Sequence, residues 1–95
     1  MAMILLYVSI NHRGGDARWY PVCRDIELRA IPRIGEAICL KGQDYFEQMT
    51  VKNVVYAESG EVVVELDGEE FTNDSESFEV SIKYHHDLGF HRGCP

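Results

Sequence analysis

Met49-Thr-Val-Lys-Asn-Val-Val-Tyr-Ala-Glu-Ser-Gly-Glu-Val-Val-Val-Glu-Leu66 is the stretch that decides the fold class. Val62, Val64 and Leu66 alternate with Glu61, Val63, Glu65 and Asp67, the period of two expected of a strand with one wet face. Ser59-Gly60 separates this strand from an earlier β-rich run, so the whole stretch predicts a hairpin at the centre of a small sheet. The earlier run, Tyr45 to Tyr56, changes phase part-way. Tyr45, Met49 and Val51 share one parity, Val54 and Tyr56 the other. A β-bulge near Lys52-Asn53 reconciles the two and bends the strand.

Upstream, Met3-Ile-Leu-Leu-Tyr-Val-Ser-Ile10 is apolar at both parities and predicts an interior strand covered on both faces. The run from Asn11 to Pro21 holds the pair Gly14-Gly15 and reads as a loop of about ten residues. A second strand passes through Ile26, Leu28 and Ala30, with Asp25, Glu27 and Arg29 outward. Ile31-Pro-Arg-Ile-Gly35 breaks it, because Pro32 lacks an N–H and Gly35 permits an unusual φ. Glu36 to Leu40 is a third strand, and Lys41 to Asp44 a turn.

Downstream, Asp67-Gly68 is a two-residue turn signal that would return Glu69 to Phe71 as a short strand. Thr72 to Glu76 is a polar loop. Phe78, Val80, Ile82 and Tyr84 alternate with Glu79, Ser81 and Lys83 and predict a last strand. No window sustains a helical period. The expectation is an all-β domain of roughly five to seven short strands, a small, partly open barrel or a strongly twisted antiparallel sheet. Residues 1–84 form one β domain in this reading, and residues 85–95 a tail or cap.

The 95 residues are 45% hydrophobic, enough for one domain with a real core and too apolar for a disordered chain. Met3 to Val8 has no basic residue before it and no small-x-small site after it, so it predicts neither a signal peptide nor a membrane span. Cys23, Cys39 and Cys94 are odd in number and show no CxxC spacing, which predicts free thiols, Cys39 half-buried in a strand, and a cytoplasmic setting. The net charge of −7 is unevenly spread: residues 53–95 hold two basic and ten acidic side chains, and no cation lies between Lys52 and Lys83. Such a field repels phosphate and favours a cationic partner. Halves of opposite sign also make self-association, as a homo-oligomer, an expectation.

Leu28-Arg-Ala-Ile-Pro-Arg-Ile-Gly-Glu-Ala-Ile38, Val51-Lys-Asn-Val-Val-Tyr56 and Val62-Val-Val-Glu-Leu66 together resemble a pattern of short uncharacterised bacterial and phage proteins. The segment is similar to the β-meander of SH3-like small barrels. The resemblance covers residues 28–66, implies a fold, and brings no catalytic residues with it.

Three constellations bear on function. Glu61, Glu65, Asp67, Glu69, Glu70 and Glu79 are the carboxylates best placed to dock a basic macromolecular surface, for example that of a nucleic-acid-binding protein. Outward glutamates also keep a small sheet soluble and blunt its edges. Arg13, Arg18, Trp19 and Tyr20 combine guanidiniums with aromatic rings, the composition of a loop that holds single-stranded nucleic acid. The competing reading is a loop anchored by its aromatics, with its arginines paired to Asp16 and Asp25.

The third constellation is His85, His86, His91 and Cys94, whose imidazoles and thiol suit zinc, although adjacent histidines on a strand point to opposite faces. No Gly-x-Ser-x-Gly, Walker loop, His-Glu-x-x-His or dinucleotide fingerprint occurs. The sequence therefore predicts a non-enzymatic acidic adaptor or inhibitor without cofactor or metal. A nucleic-acid module and a zinc-dependent protein are the alternatives.

Overall fold

The structure, a computed structural model, describes residues 2–13, 18–42, 45–71 and 75–92. Six strands and one helix follow in the order β1 (Ala2–His12), β2 (Arg18–Leu28), β3 (Ala37–Lys41), β4 (Phe46–Tyr56), β5 (Val62–Leu66), β6 (Glu69–Phe71) and α1 (Ser75–Asp87). The strands form one sheet in the order β2-β1-β5-β4-β3, with β6 beside β1 beyond the end of β5. The sheet is not closed, so the expected all-β, partly open architecture holds. No described helix is long and apolar enough to cross a membrane.

The first two strands form a hairpin, and both run further than expected. β1 pairs β2 antiparallel from Ala2↔Leu28 to His12↔Arg18. Arg18, Trp19, Tyr20 and Pro21 are therefore strand residues and not loop; Gly14 to Ala17 lie outside the described residues. Pro21 is tolerated because β2 ends the sheet, and an edge strand can leave one N–H unmade. Ile4, Leu6, Val8 and Ile10 are fully buried on one face. The opposite face carries no described element, and Met3 there is 63% exposed, so β1 is interior to the sheet but covered on one side.

Gly35 has φ of 90° in the turn before β3, where Glu36 N–H donates back to Arg33 O and its carboxylate accepts the Arg33 N–H. Cys39 is exposed on β3 and not half-buried, while Cys23 is fully buried. The predicted bulge is present: Val51 pairs with Leu66 and Asn53 with Glu65, leaving Lys52 as the extra residue. β4 pairs with β3 from Phe46 to Thr50, and with β5 from Val51 across the bulge to Tyr56. The bulge is where the strand turns from one neighbour to the other.

Two expectations are corrected here. The sheet is mixed, because β5 returns to lie parallel to β1 (Ile4↔Val62 to Tyr7↔Glu65). Asp67-Gly68 does not reverse the chain either. It carries it onward, and β6 continues parallel to β1 from Ile10↔Glu69 to His12↔Phe71. A Cβ at Gly68 would run into Ser9 O, so only glycine lets the link pass this close to β1.

The larger correction concerns residues 75–87, which form α1 and not a strand. Phe78, Ser81, His85 and Leu88 are buried, spaced by three and four residues along one helical face. Two of the four are polar, which hid the period from a reading of apolar residues. Val80, 62% exposed, supplied the false alternation. The helix ends on Gly89, at φ of 93°, with Gly89 N–H donating to His86 O (3.0 Å) and Phe90 N–H to His85 O (3.0 Å). That pair of bonds is a Schellman stop.

The 84/85 boundary drawn from the sequence thus falls inside α1. Leu88 and Phe90 join the core, and His91 exchanges backbone bonds with Cys23 at the β2 edge (2.8 and 2.9 Å).

Candidate functional site

The six predicted carboxylates do not form one face. Glu61 is exposed after the β4–β5 turn and Asp67 is exposed in the β5–β6 link. Glu65 pairs with Tyr7 and Glu70 with Asn11, which sets both on the uncovered face of the sheet. Glu69 pairs with Ile10 on the α1 side and accepts a 2.9 Å hydrogen bond from Ser81 Oγ. Glu79 stands exposed on α1. Strand alternation sends Glu69 and Glu70 to opposite faces, as it must for neighbours.

The four residues of the Arg/Trp/Tyr constellation are divided as well. Arg13 Nε lies 2.7 Å from Glu70 Oε1, and Arg18 Nη1 lies 3.3 Å from Glu79 Oε1. The cations of one predicted site therefore partner carboxylates of the other. Trp19 pairs with Asn11 on the uncovered face and donates its indole N–H to Ser9 Oγ (2.8 Å). Tyr20 lies on the α1 side, with its hydroxyl 3.2 Å from His86 Nε2 and the Arg92 guanidinium over its ring at 4.8 Å.

The histidines are committed to the fold. His85 Nδ1 donates to Ser81 O at 2.7 Å and His86 Nδ1 to Phe90 O at 2.9 Å, the carbonyl partner fixing which nitrogen carries the proton. Among the described residues no group of three or more His, Cys, Asp and Glu is placed to hold a metal ion. Cys94, the fourth residue of that constellation, lies outside the described residues.

What the fold does gather is a groove of about 530 Å³ between α1, β6 and β4. Phe71, Val80 and Tyr84 supply its apolar surface, and Glu47, Glu69 and Glu76 its charge. None of these three carboxylates has an ion-pair partner among the described residues. Two are held by hydroxyl donors instead: Ser81 Oγ binds Glu69, and Tyr84 OH makes a short bond to Glu47.

That bond to Glu47, with partial burial, pushes the Tyr84 phenol up to about 12. Tyr45 stacks near Tyr84 at 5.3 Å and is also raised, by partial burial first and then by the Asp87 and Glu47 carboxylates. Both phenols therefore stay neutral donors at ordinary pH, and the groove's charge is that of its carboxylates. Of its residues the sequence had singled out Glu69 as a site residue, and it put Glu76 in a polar loop. Glu47, Phe71, Val80 and Tyr84 were missed because α1 was read as a strand, although Gly89 after His85-His86-Asp87 was a legible helix stop.

A second concavity, a cleft of about 410 Å³, lies on the uncovered face between Trp19, Asn11, Glu65 and Glu70, with Lys52 at the bulge. The described residues are in class a mixed, open six-stranded sheet with α1 on one face. Compared with protein-family models, curated proteins and solved structures, the chain matches none.

Proposed function

We propose that this is a non-enzymatic, cytoplasmic binding protein that docks a basic protein surface through the groove between α1, β6 and β4. The observation that carries the reading is the trio Glu47, Glu69 and Glu76, charged, without cationic partners among the described residues, and set beside Phe71, Val80 and Tyr84. A lysine or arginine side chain suits such a groove, its aliphatic stem lying on the apolar surface and its head meeting the carboxylates. Ser81 and Tyr84 hold two of the carboxylates in place, so less freedom is lost on binding. Partner phosphate is repelled by the same charges. Each rim pair contributes about 0.2–1 kcal/mol, so three together are worth roughly threefold to a hundredfold in affinity, and they raise the on-rate as well.

The test is parallel affinity capture with the full chain and with Glu47→Gln/Glu69→Gln/Glu76→Gln, eluted in salt steps. A basic protein held by the wild type and lost from the triple variant, with the helical circular dichroism unchanged, supports the reading. A partner retained equally by both overturns it, as does one released only together with nucleic acid.

A further inference from the structure

We infer that the uncovered face of the sheet carries a second binding site, which takes a neutral hexopyranose ring on Trp19. Strand register builds it. The β1–β2 pairing sets Trp19 on one side of Asn11, and the β1–β6 pairing sets Glu70 on the other, so the three make one row across the sheet. Four residues back along β1, Tyr7 stands between Cys23 and Glu65 in a parallel row. The two rows are about 13 Å apart at ~3.3 Å per residue. Between them Ser9 faces the β5–β6 link at Gly68, which has no side chain, and this leaves the middle of the cleft open.

Trp19 is 61% exposed, yet its ring is fixed. The indole N–H is spent on Ser9 Oγ at 2.8 Å, and that hydroxyl donates in turn to Asn11 Oδ1 at 3.3 Å. What the indole offers to solvent is therefore a flat, pre-oriented apolar surface and no free donor. Large aromatics held this way at the surface are suited to recognition more than to packing.

Charge selects the ligand. Arg13 neutralises Glu70 at 2.7 Å, and Lys52 shares the lining with Glu65. The lining holds three carboxylates, Glu65, Glu69 and Glu70, and one basic side chain, Lys52, so an anion would meet a negative surface, and a cation would meet Lys52 and a Glu70 already held by Arg13. A neutral ring with one C–H face and a rim of hydroxyls satisfies both sets: the face lies on the indole, Glu65 and Asn11 accept, and Lys52 donates. The cleft's 410 Å³ falls in the ~300–1,000 Å³ range of small-molecule sites.

The experiment uses the full chain and soluble hexamers of β-1,4-glucose, α-1,4-glucose and β-1,4-N-acetylglucosamine. The chain has a single tryptophan, so indole fluorescence and the indole N–H resonance report Trp19 alone. At least one oligomer is expected to shift both signals saturably at millimolar concentration or below. Glu65→Gln should weaken that binding, Trp19→Ala (read by calorimetry) should weaken it about tenfold or more, and Glu58→Gln in the β4–β5 turn should leave it unchanged. Should Trp19→Ala fail to fold, Asn11→Ala, which frees the Ser9–Trp19 chain, gives the same readout. No shift with any of the three oligomers overturns the inference, as does binding that survives loss of the indole.

Discussion

The α-carbon of Gly68 lies so close to β1 that any side chain there would strike the carbonyl oxygen of Ser9. This contact lets one strand, β1, take β5 along its first half and β6 along its second. It also opens the floor of the cleft beside Trp19.

Gly68→Ala should therefore be among the most damaging single substitutions in the chain. The methyl group meets backbone, which cannot swing aside, so β6 must part from β1. A loss on the order of 2–3 kcal/mol is expected in urea unfolding, against well under about 1 kcal/mol for the control Ser59→Ala in the exposed β4–β5 turn.

His12 is a buried imidazole whose two nitrogens have no hydrogen-bond partner among the described residues, and its ring lies 5.4 Å from that of Phe78. A buried unsatisfied polar group costs about 1–3 kcal/mol, so the apolar replacement His12→Leu should raise stability by about 1 kcal/mol. The denaturant midpoint should move up with an unchanged slope. A lower midpoint would mean that the imidazole is satisfied after all.

Tyr84 should titrate last among the phenols that Glu47 and burial perturb. Its value of about 12 in the folded protein lies above the ordinary 10.0, so the folded state holds the proton more tightly than the unfolded state. Stability from this bond is complete below pH 10 and is lost as pH rises from about 10 to about 12. Glu47→Ala should bring the late phenolate absorbance step down towards the ordinary range and flatten alkaline unfolding over the same window.

Arg13 and Glu70 are 73% and 47% exposed in their side chains, so their 2.7 Å contact is a surface pair. Such pairs contribute about 0–1 kcal/mol. Arg13→Gln should change stability by less than about 0.5 kcal/mol, yet it uncovers the Glu70 carboxylate in the cleft. Binding of a neutral oligosaccharide there should fall with no matching loss of fold.

How much of the molecule could be read from sequence depended on how local each feature is. The β4–β5 hairpin, the bulge at Lys52 and the break at Gly35 follow from backbone chemistry and a period of two within a few residues. The helix did not, since its inward face uses Ser81 and His85, whose partners Glu69 and the Ser81 carbonyl are supplied by the fold. Of the candidate sites, the acidic excess between Lys52 and Lys83 was legible. Its division between two faces was not, because a one-residue step from Glu69 to Glu70 changes face only once the register on β1 is known.

By itself, then, the chain determined an all-β body with one wet face, a bent fourth strand and a surplus of negative charge. These rest on alternation, turn residues and composition, which act over short distances. Tertiary structure alone decided that β5 and β6 share β1, that Arg13 and Arg18 neutralise Glu70 and Glu79, and that Glu47 joins Glu69 and Glu76 in one groove. The physical reason is that charge pairing and groove formation depend on distances of a few ångströms between residues far apart in sequence. Those distances are set by strand register and by the packing of α1, which the local pattern does not encode.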